Sequence, residues 1–181
     1  MHKRNKIFTI GITGSESGVG VTHISITLSR YIKFCLGRKV CLISKDMGEE
    51  SYVKDRLKVL GVDVYAKENS EKAIFENGYE YAVKDYGIYT KAKGEAFKKE
   101  SHGIFVLSSS FWAVKVFSRL IYTEVEEEYK TWTFITCFGD EDTIKVLNRK
   151  YDICIHRYPY TYGSLDIDMP VYTFFKNKLG L

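Results

Sequence analysis

Glycine residues concentrate in a short segment, Gly14 to Thr22, whose spacing is suited to holding an anion. The segment reads Gly-Ser-Glu-Ser-Gly-Val-Gly-Val-Thr and follows a short apolar, β-branched run at residues 7–12. Apolar residues recur at helical spacing directly after it. A glycine-rich loop between a strand and a helix directs backbone N–H groups and the helix N-terminus toward an anion, most often a phosphate. The alternative is a tight turn in which the glycines serve only the backbone conformation.

Strand and helix patterns alternate along the whole chain. Apolar runs predict seven strands, at residues 7–12, 40–43, 62–66, 79–84, 103–107, 132–137 and 152–155. Helical spacing predicts helices at residues 22–36, 51–60, 111–121, 141–149 and 171–178. The alternation predicts an α/β protein, a three-layer α/β/α fold with a mostly parallel sheet of about seven strands, formed by residues 1–181 as one domain.

Composition excludes several classes of protein. The chain has 181 residues and a formal net charge of +4, which is too small and too dispersed to indicate nucleic-acid binding by itself. The sequence contains no run of 18 apolar residues, so we expect no transmembrane segment. It also contains no signal-peptide cleavage pattern, so we expect no secretory signal. The four cysteines lack the spacing of a metal site, so we expect reduced core thiols in a cytoplasmic protein.

The glycine-rich loop resembles the deviant Walker A loop of the MinD/ParA-type P-loop ATPases, of the SIMIBI class. Those proteins carry Lys-Gly-Gly-Val-Gly-Lys-Thr in this place, and residues 16–22 align with that motif. Four positions match: Gly18, Val19, Gly20 and Thr22. The resemblance implies a P-loop NTPase-like fold in which residues 18–22 form the phosphate-binding loop.

The ends of two later strands resemble the same family. The segment from Cys41 to Asp46 resembles the family's second strand, which ends in Asp-x-Asp, with Ser44 in place of the first aspartate. The segment from Tyr79 to Gly87 resembles the family's Walker B strand, with Asp85 at the magnesium position. The resemblance therefore implies a magnesium site formed by Thr22, Asp85 and Asp46.

Two departures from the family pattern bear on activity. Val21 stands at the P-loop lysine position, and Glu16 stands at the signature lysine position. Relative to the family pattern, glutamate for lysine at Glu16 changes the charge by −2, valine for lysine at Val21 by −1, and serine for aspartate at Ser44 by +1. Because −2, −1 and +1 sum to −2, the site is two charge units more negative than the pattern. One charge pair at about 4 Å contributes roughly 4 kcal/mol at an effective dielectric constant of about 20. We therefore expect weak binding of ATP or ADP with magnesium, no efficient hydrolysis, and an uncompensated carboxylate at Asp85.

Two lysines could replace the missing cations, because Lys45 and Lys84 each precede an aspartate at the end of a strand. Successive side chains of a strand point to opposite faces, so each lysine should point away from the face that its aspartate uses. We expect both to be surface lysines or partners of nearby carboxylates, and a substitute role for either stays open.

Two functional hypotheses follow. The first is a degenerate MinD/ParA-like domain, a pseudo-ATPase that acts as a non-hydrolysing scaffold or regulator through a protein partner or a homodimer. Such proteins resemble the TadZ-type proteins that localise pili and secretion systems, and the partition proteins of mobile elements. The alternative is a slow nucleotide-binding ATPase that uses the loop amides, Thr22 and Asp85. Such an ATPase would act in partitioning, or in localising a secretion, pilus or conjugation apparatus.

Two further interactions are not expected. The lysines that could form a DNA-binding face, as in ParA relatives, are more typical of solvated surface, so we expect no DNA binding. These are Lys91, Lys93, Lys98 and Lys99. The apolar tail at residues 171–181 favours a helix docked on the sheet over a membrane-surface helix, so membrane contact is not expected.

Overall fold

Eight β-strands form one sheet in the computed structural model of the chain. The structure describes residues 7–44, 57–59, 61–66, 74, 76–123, 127–159 and 165–180. Within these ranges the strands are β1 (Phe8–Gly14), β2 (Val40–Ser44), β3 (Leu57–Val59), β4 (Val62–Tyr65), β5 (Tyr81–Ile88), β6 (His102–Ser109), β7 (Thr133–Gly139) and β8 (Ile155–Arg157). Most are rich in the β-branched and aromatic residues that favour a pleated, buried strand.

The sheet is parallel except at one edge. Its strand order is β3-β4-β2-β5-β1-β6-β7-β8, and only the pairing of β3 with β4 is antiparallel. Strand β1 lies between β5 and β6, and β5 lies between β1 and β2. Because parallel strands end at the same edge, the carboxyl ends of β1, β2 and β5 meet there. The predicted mostly parallel α/β fold is confirmed.

Helices connect most of the parallel strands. They are α1 (Val21–Arg30), α2 (Lys91–Phe97), α3 (Phe111–Thr123), α4 (Glu141–Tyr151) and α5 (Met169–Leu179). A π-helical turn, Tyr31–Cys35, extends α1, and a 3₁₀ turn, Glu127–Thr131, precedes β7. Helix α4 begins after its N-cap Asp140, whose carboxylate accepts a 2.7 Å hydrogen bond from the backbone N–H of Thr143.

Apolar cores on both faces of the sheet produce the predicted three layers. Successive residues of β6 alternate between the cores, with Val106 on one face and Phe105 on the other, as expected for a strand. Helices α1 and α5 cover the first face, and α2, α3 and α4 cover the second. Phe174 and Phe175 of α5 are buried in the first core, which confirms the expected docking of the tail helix.

The structure differs from the predictions in two connections. Residues 57–59 of the predicted helix at 51–60 form strand β3, because they pair with β4 across a turn at Gly61, where φ is +83°. The rest of that predicted helix, 51–56 and 60, lies outside the described residues. Helix α2 was not predicted, since it is short, contains Gly94, and begins after Thr90 without a side-chain cap.

Candidate phosphate-binding loop

Backbone hydrogen bonds on the β5 side and on the β6 side of β1 hold the start of the loop between β1 and α1. The backbone N–H of Ser15 donates to the carbonyl of Val106 at 2.9 Å, and the N–H of Tyr89 donates to the carbonyl of Gly14 at 2.8 Å. These bonds join the start of the loop to β6 and to the residue after β5. The parallel sheet therefore sets the position of the loop.

Glycine is required at two positions of the loop. Gly18 has φ +79° and Gly20 has φ +106°, a region that favours glycine. A Cβ at Gly20 would lie 2.9 Å from Sγ of Cys137, whereas one at Gly18 would meet nothing within 4 Å. Gly20 is also the N-cap of α1, without a side-chain hydrogen bond. The free N–H groups of the first helical turn are thus left for a ligand or for water.

The lysine position of the family motif is part of the apolar core in this chain. Val21 is 7% exposed and Val19 is 3% exposed. A Cβ on Gly14 would lie 2.6 Å from a methyl group of each valine, so both side chains pack directly under the loop backbone. The valines thus support the shape of the loop but bring no charge to it.

Asp85, in the carboxyl-terminal half of β5, meets the first turn of α1. Its Oδ2 accepts hydrogen bonds from Thr22 Oγ1 at 2.8 Å and from Ser44 Oγ at 3.4 Å. Its Oδ1 accepts a bond from the backbone N–H of Gly87 at 2.8 Å. Among the described residues all three donors are neutral. The three donors satisfy Asp85 by hydrogen bonding, and the absence of a compensating charge stays a prediction.

The pair formed by Thr22 and Asp85 fits a magnesium ion by its chemistry. Hydroxyl and carboxylate oxygens are the hard donors that Mg²⁺ prefers, usually with several waters retained. Thr22 is exposed, so a ligand can reach its hydroxyl. The third predicted ligand, Asp46, lies outside the described residues. Across the part of the chain that the structure describes, no group of three or more His, Cys, Asp or Glu side chains could hold a metal ion.

Among the described residues, neither Glu16 nor Lys84 supplies a replacement cation at the loop. Glu16 is half-buried, and within the described ranges its carboxylate makes no hydrogen bond or ion pair. Lys84 lies on β5 beside Asp85, but its ammonium pairs with Glu100 at 2.8 Å. That glutamate side chain is 4% exposed and also accepts a hydrogen bond from Tyr86. Lys84 therefore points away from Asp85, as strand alternation predicts. Lys45 lies outside the described residues.

Sequence reasoning missed three polar side chains around the loop. Ser44 was counted only as a lost aspartate, yet the register pairs it with Asp85. Ser15 is 5% exposed, and its hydroxyl has no hydrogen-bond partner among the described residues. Tyr158 is buried and packs edge-on against His23 of α1, with 5.7 Å between ring centroids. Knowledge of the strand order would have revealed Ser44, whereas the other two depend on side-chain packing.

Four lysines of a suggested DNA-binding face were another set of candidates. Two of the four lysines of the suggested DNA-binding face are engaged within the chain, because Lys93 donates to the carbonyls of Tyr86 and Ile88, and Lys98 pairs with Glu95.

The expectation of four core thiols is wrong for two cysteines. Cys35 and Cys154 are exposed, Cys137 is half-buried, and Cys41 is buried. None of the helices among the described residues is long and apolar enough to cross a membrane.

Comparison with known proteins gives matches by structure only. No protein-family model matches the chain, and no curated protein matches it by sequence. A plasmid partition protein from Borrelia burgdorferi B31 bound to AMPPNP superposes with a TM-score of 0.64 at 14% identity, covering 97% of this chain and 98% of that one. A ParA-family ATPase from Chlorobium tepidum TLS gives a TM-score of 0.64 at 11% identity, with 88% of each chain covered.

A third solved structure comes from a protein complex. It is the MinC:MinD cell division complex of Aquifex aeolicus, with a TM-score of 0.62, 16% identity, and coverage of 86% of this chain and 82% of that chain. At such low identity the likeness bears on the fold. The sheet order, the loop after β1 and these similarities together give this chain the fold of the MinD/ParA-type P-loop ATPases.

Proposed function

We propose that this chain is a degenerate MinD/ParA-like P-loop domain that acts as a non-hydrolysing scaffold or regulator through protein contacts. The observation that carries the proposal is the buried position of Val21, 7% exposed, where the family motif has its lysine. A valine packed under the loop supports the loop's shape without stabilising a phosphate charge. A loop that keeps its shape but lacks the lysine charge retains a surface for binding a partner. It does not stabilise the phosphates, so catalysis is lost.

Electrostatics support the loss of hydrolysis. Phosphoryl transfer depends almost entirely on positioning and on neutralising the charge of the phosphates. Here the loop offers backbone N–H groups, and the carboxylates of Glu16 and Asp85 lie in the loop and on the strand beside it. Burial lowers the pKa of His23 in the first turn of α1, which disfavours its cationic form. A second carboxylate near a triphosphate repels it, by an energy that solvent screening reduces. We therefore propose that MgATP binds weakly and that turnover is negligible.

Magnesium has a restricted role in this proposal. Thr22 and Asp85 would hold the ion, and the ion would neutralise part of the charge of a bound phosphate chain. The chain's own contribution is orientation: Ser44 and Gly87 hold the Asp85 carboxylate, and Asp85 in turn accepts the hydroxyl of Thr22.

Protein contacts are proposed as the functional output. One of the similar structures is a complex of MinD with MinC, and two others are a ParA-family ATPase and a plasmid partition protein. By analogy we propose a protein partner, or a second copy of this chain, in a partitioning or localising role. Because Glu16 would repel phosphates where relatives use a lysine, any dimer should form without ATP.

A slow ATPase is the second candidate, and a specific distance favours it. The hydroxyl of Thr22 lies 2.8 Å from the carboxylate of Asp85, which brings together two of the three residues that the family resemblance assigns to magnesium. Under this candidate the loop amides and the ion would replace the missing lysines.

Charge restoration separates the two candidates. We expect purified protein to show no MgATP turnover above the blank, and Glu16→Lys to raise the affinity for MgATP at least several-fold. Ser17→Lys is the matched control, because Ser17 is the exposed neighbour in the same loop and should raise affinity less. The double variant Glu16→Lys with Val21→Lys tests the full motif. Wild-type turnover that Thr22→Ala abolishes would overturn the scaffold proposal in favour of the ATPase.

A further inference from the structure

A cavity of about 380 Å³ opens at the amino-terminal edge of the sheet, away from the phosphate-binding loop. Val40, the first residue of β2, lines it, whereas Ser44 at the other end of β2 contacts Asp85. Four residue steps along a strand span about 13 Å, so the cavity and the loop are separate sites. Its size falls in the range of small-molecule pockets, about 300–1,000 Å³.

Three cations surround this cavity. Lys33 reaches it from the π-helical turn, a feature frequent at functional sites, and its ammonium donates to the carbonyl of Gly61. Arg38 pairs with Glu80 at 3.0 Å. The ammonium of Lys39 makes no hydrogen bond or ion pair with the residues that the structure describes, so it is available to an anionic ligand.

A buried carboxylate forms part of the wall of the same cavity. Asp63 of β4 is 7% exposed and lines the cavity together with Tyr79, which is 8% exposed. The Tyr79 hydroxyl donates to Oδ2 of Asp63 at 2.7 Å and lies 3.0 Å from the hydroxyl of Tyr65. Burial, with the hydrogen bonds to Tyr65 and Asp63, raises the pKa of Tyr79, so its hydroxyl remains a donor. The wall therefore presents a carboxylate in a fixed orientation.

We propose that this cavity binds a small phosphate monoester that carries hydroxyl groups. The phosphate would lie at Lys39 and Lys33, and the hydroxyls would donate to Asp63. Of the three cations that line the cavity, Arg38 is compensated by Glu80. Lys33 and Lys39 with the one carboxylate, Asp63, leave a net charge of +1, which attracts an anion such as a phosphate monoester. Carboxylates are common acceptors for ribose hydroxyls, which supports a sugar phosphate as the ligand class.

Isothermal titration with ribose 5-phosphate tests the proposal on the full chain. Ribose lacks the phosphate and inorganic phosphate lacks the hydroxyls, so both should bind at least about ten-fold more weakly than ribose 5-phosphate. Lys39→Ala should weaken ribose 5-phosphate binding at least about ten-fold. Lys91→Ala, at an exposed lysine of α2, is the matched control and should not change it. Thr22→Ala should also leave it unchanged, which assigns the binding to this cavity and not to the loop.

Several results would overturn the proposal. These are no binding of ribose 5-phosphate up to about 10 mM, equal binding by Lys39→Ala, or binding that Thr22→Ala removes. Inorganic phosphate that binds as tightly as the sugar phosphate would show an adventitious anion site only. Asp63→Asn tests the hydroxyl contact, and Lys33→Ala, a change at a partly exposed side chain, decides the outcome if the Asp63 variant does not fold.

Discussion

Asp85 offers a direct test of whether a cation stabilises the loop. Its carboxylate accepts bonds from Thr22 Oγ1 at 2.8 Å, from Ser44 Oγ at 3.4 Å and from the N–H of Gly87 at 2.8 Å. Asp85→Asn keeps the shape of the side chain and removes its charge. Asp85→Ala removes the acceptors as well. Comparison of the two variants therefore separates the contribution of charge from that of hydrogen bonding.

The expected magnitudes follow from these three bonds. The hydroxyls of Thr22 and Ser44 can rotate to accept from an amide, and the amide oxygen can still accept from Gly87, so asparagine can keep all three bonds. With no cation to stabilise the charge, Asp85→Asn should change the free energy of unfolding by less than about 1 kcal/mol. Alanine leaves the buried hydroxyl of Ser44 and the half-buried N–H of Gly87 without an acceptor. At about 1–3 kcal/mol for each group, a loss of about 2–6 kcal/mol is expected.

Urea unfolding followed by circular dichroism at pH 7 measures both changes. The matched control is Asp142→Asn on α4, where the carboxylate side chain is 91% exposed and a change within about 0.5 kcal/mol is expected. For a chain of this length about 1 kcal/mol corresponds to a shift of roughly 2–4 °C in Tm. If Asp85→Asn is as destabilising as Asp85→Ala, a cation compensates the carboxylate, and the argument from missing charge fails.

Three more predictions concern the backbone, the pH response and the thiols. Gly20→Ala should lower Tm more than Gly18→Ala. Both positions have positive φ, but only a Cβ at position 20 would lie 2.9 Å from Sγ of Cys137. Equal losses of Tm in the two variants would contradict this. Burial lowers the pKa of His102, so protonation favours the unfolded chain, and stability should fall as pH drops below about 6.5. His102→Gln should flatten that fall in urea titrations, and an unchanged slope would refute the assignment. Two thiols should react with Ellman's reagent in the native protein, and the other two only after unfolding. The reactive pair is Cys35 and Cys154.

The sequence predicted much of the fold because short apolar runs alternate with segments of helical spacing along most of the chain. The short elements were missed. Strand β3 has three residues and depends on pairing with β4, and α2 lacks a cap and contains Gly94. These elements form through tertiary contacts, which local patterns do not encode.

The candidate site was predictable to a lesser extent. The resemblance brought Thr22 and Asp85 together, and the structure places their oxygens 2.8 Å apart, while their role as magnesium ligands stays a prediction. The contact of Ser44 with Asp85 depends on β2 lying beside β5, which the chain order does not reveal. Alternation predicted the direction of Lys84, but its partner Glu100 follows a helix that the sequence did not indicate.

Titration of MgATP into the wild-type protein by isothermal calorimetry tests the central claim most directly. The loop keeps its N–H groups but has a buried Val21 and an acidic Glu16 where the family motif has lysines. We predict no binding tighter than roughly 100 µM, which corresponds to about −5.5 kcal/mol. Binding in the low micromolar range would contradict the account, because the loop would then neutralise a triphosphate without either lysine.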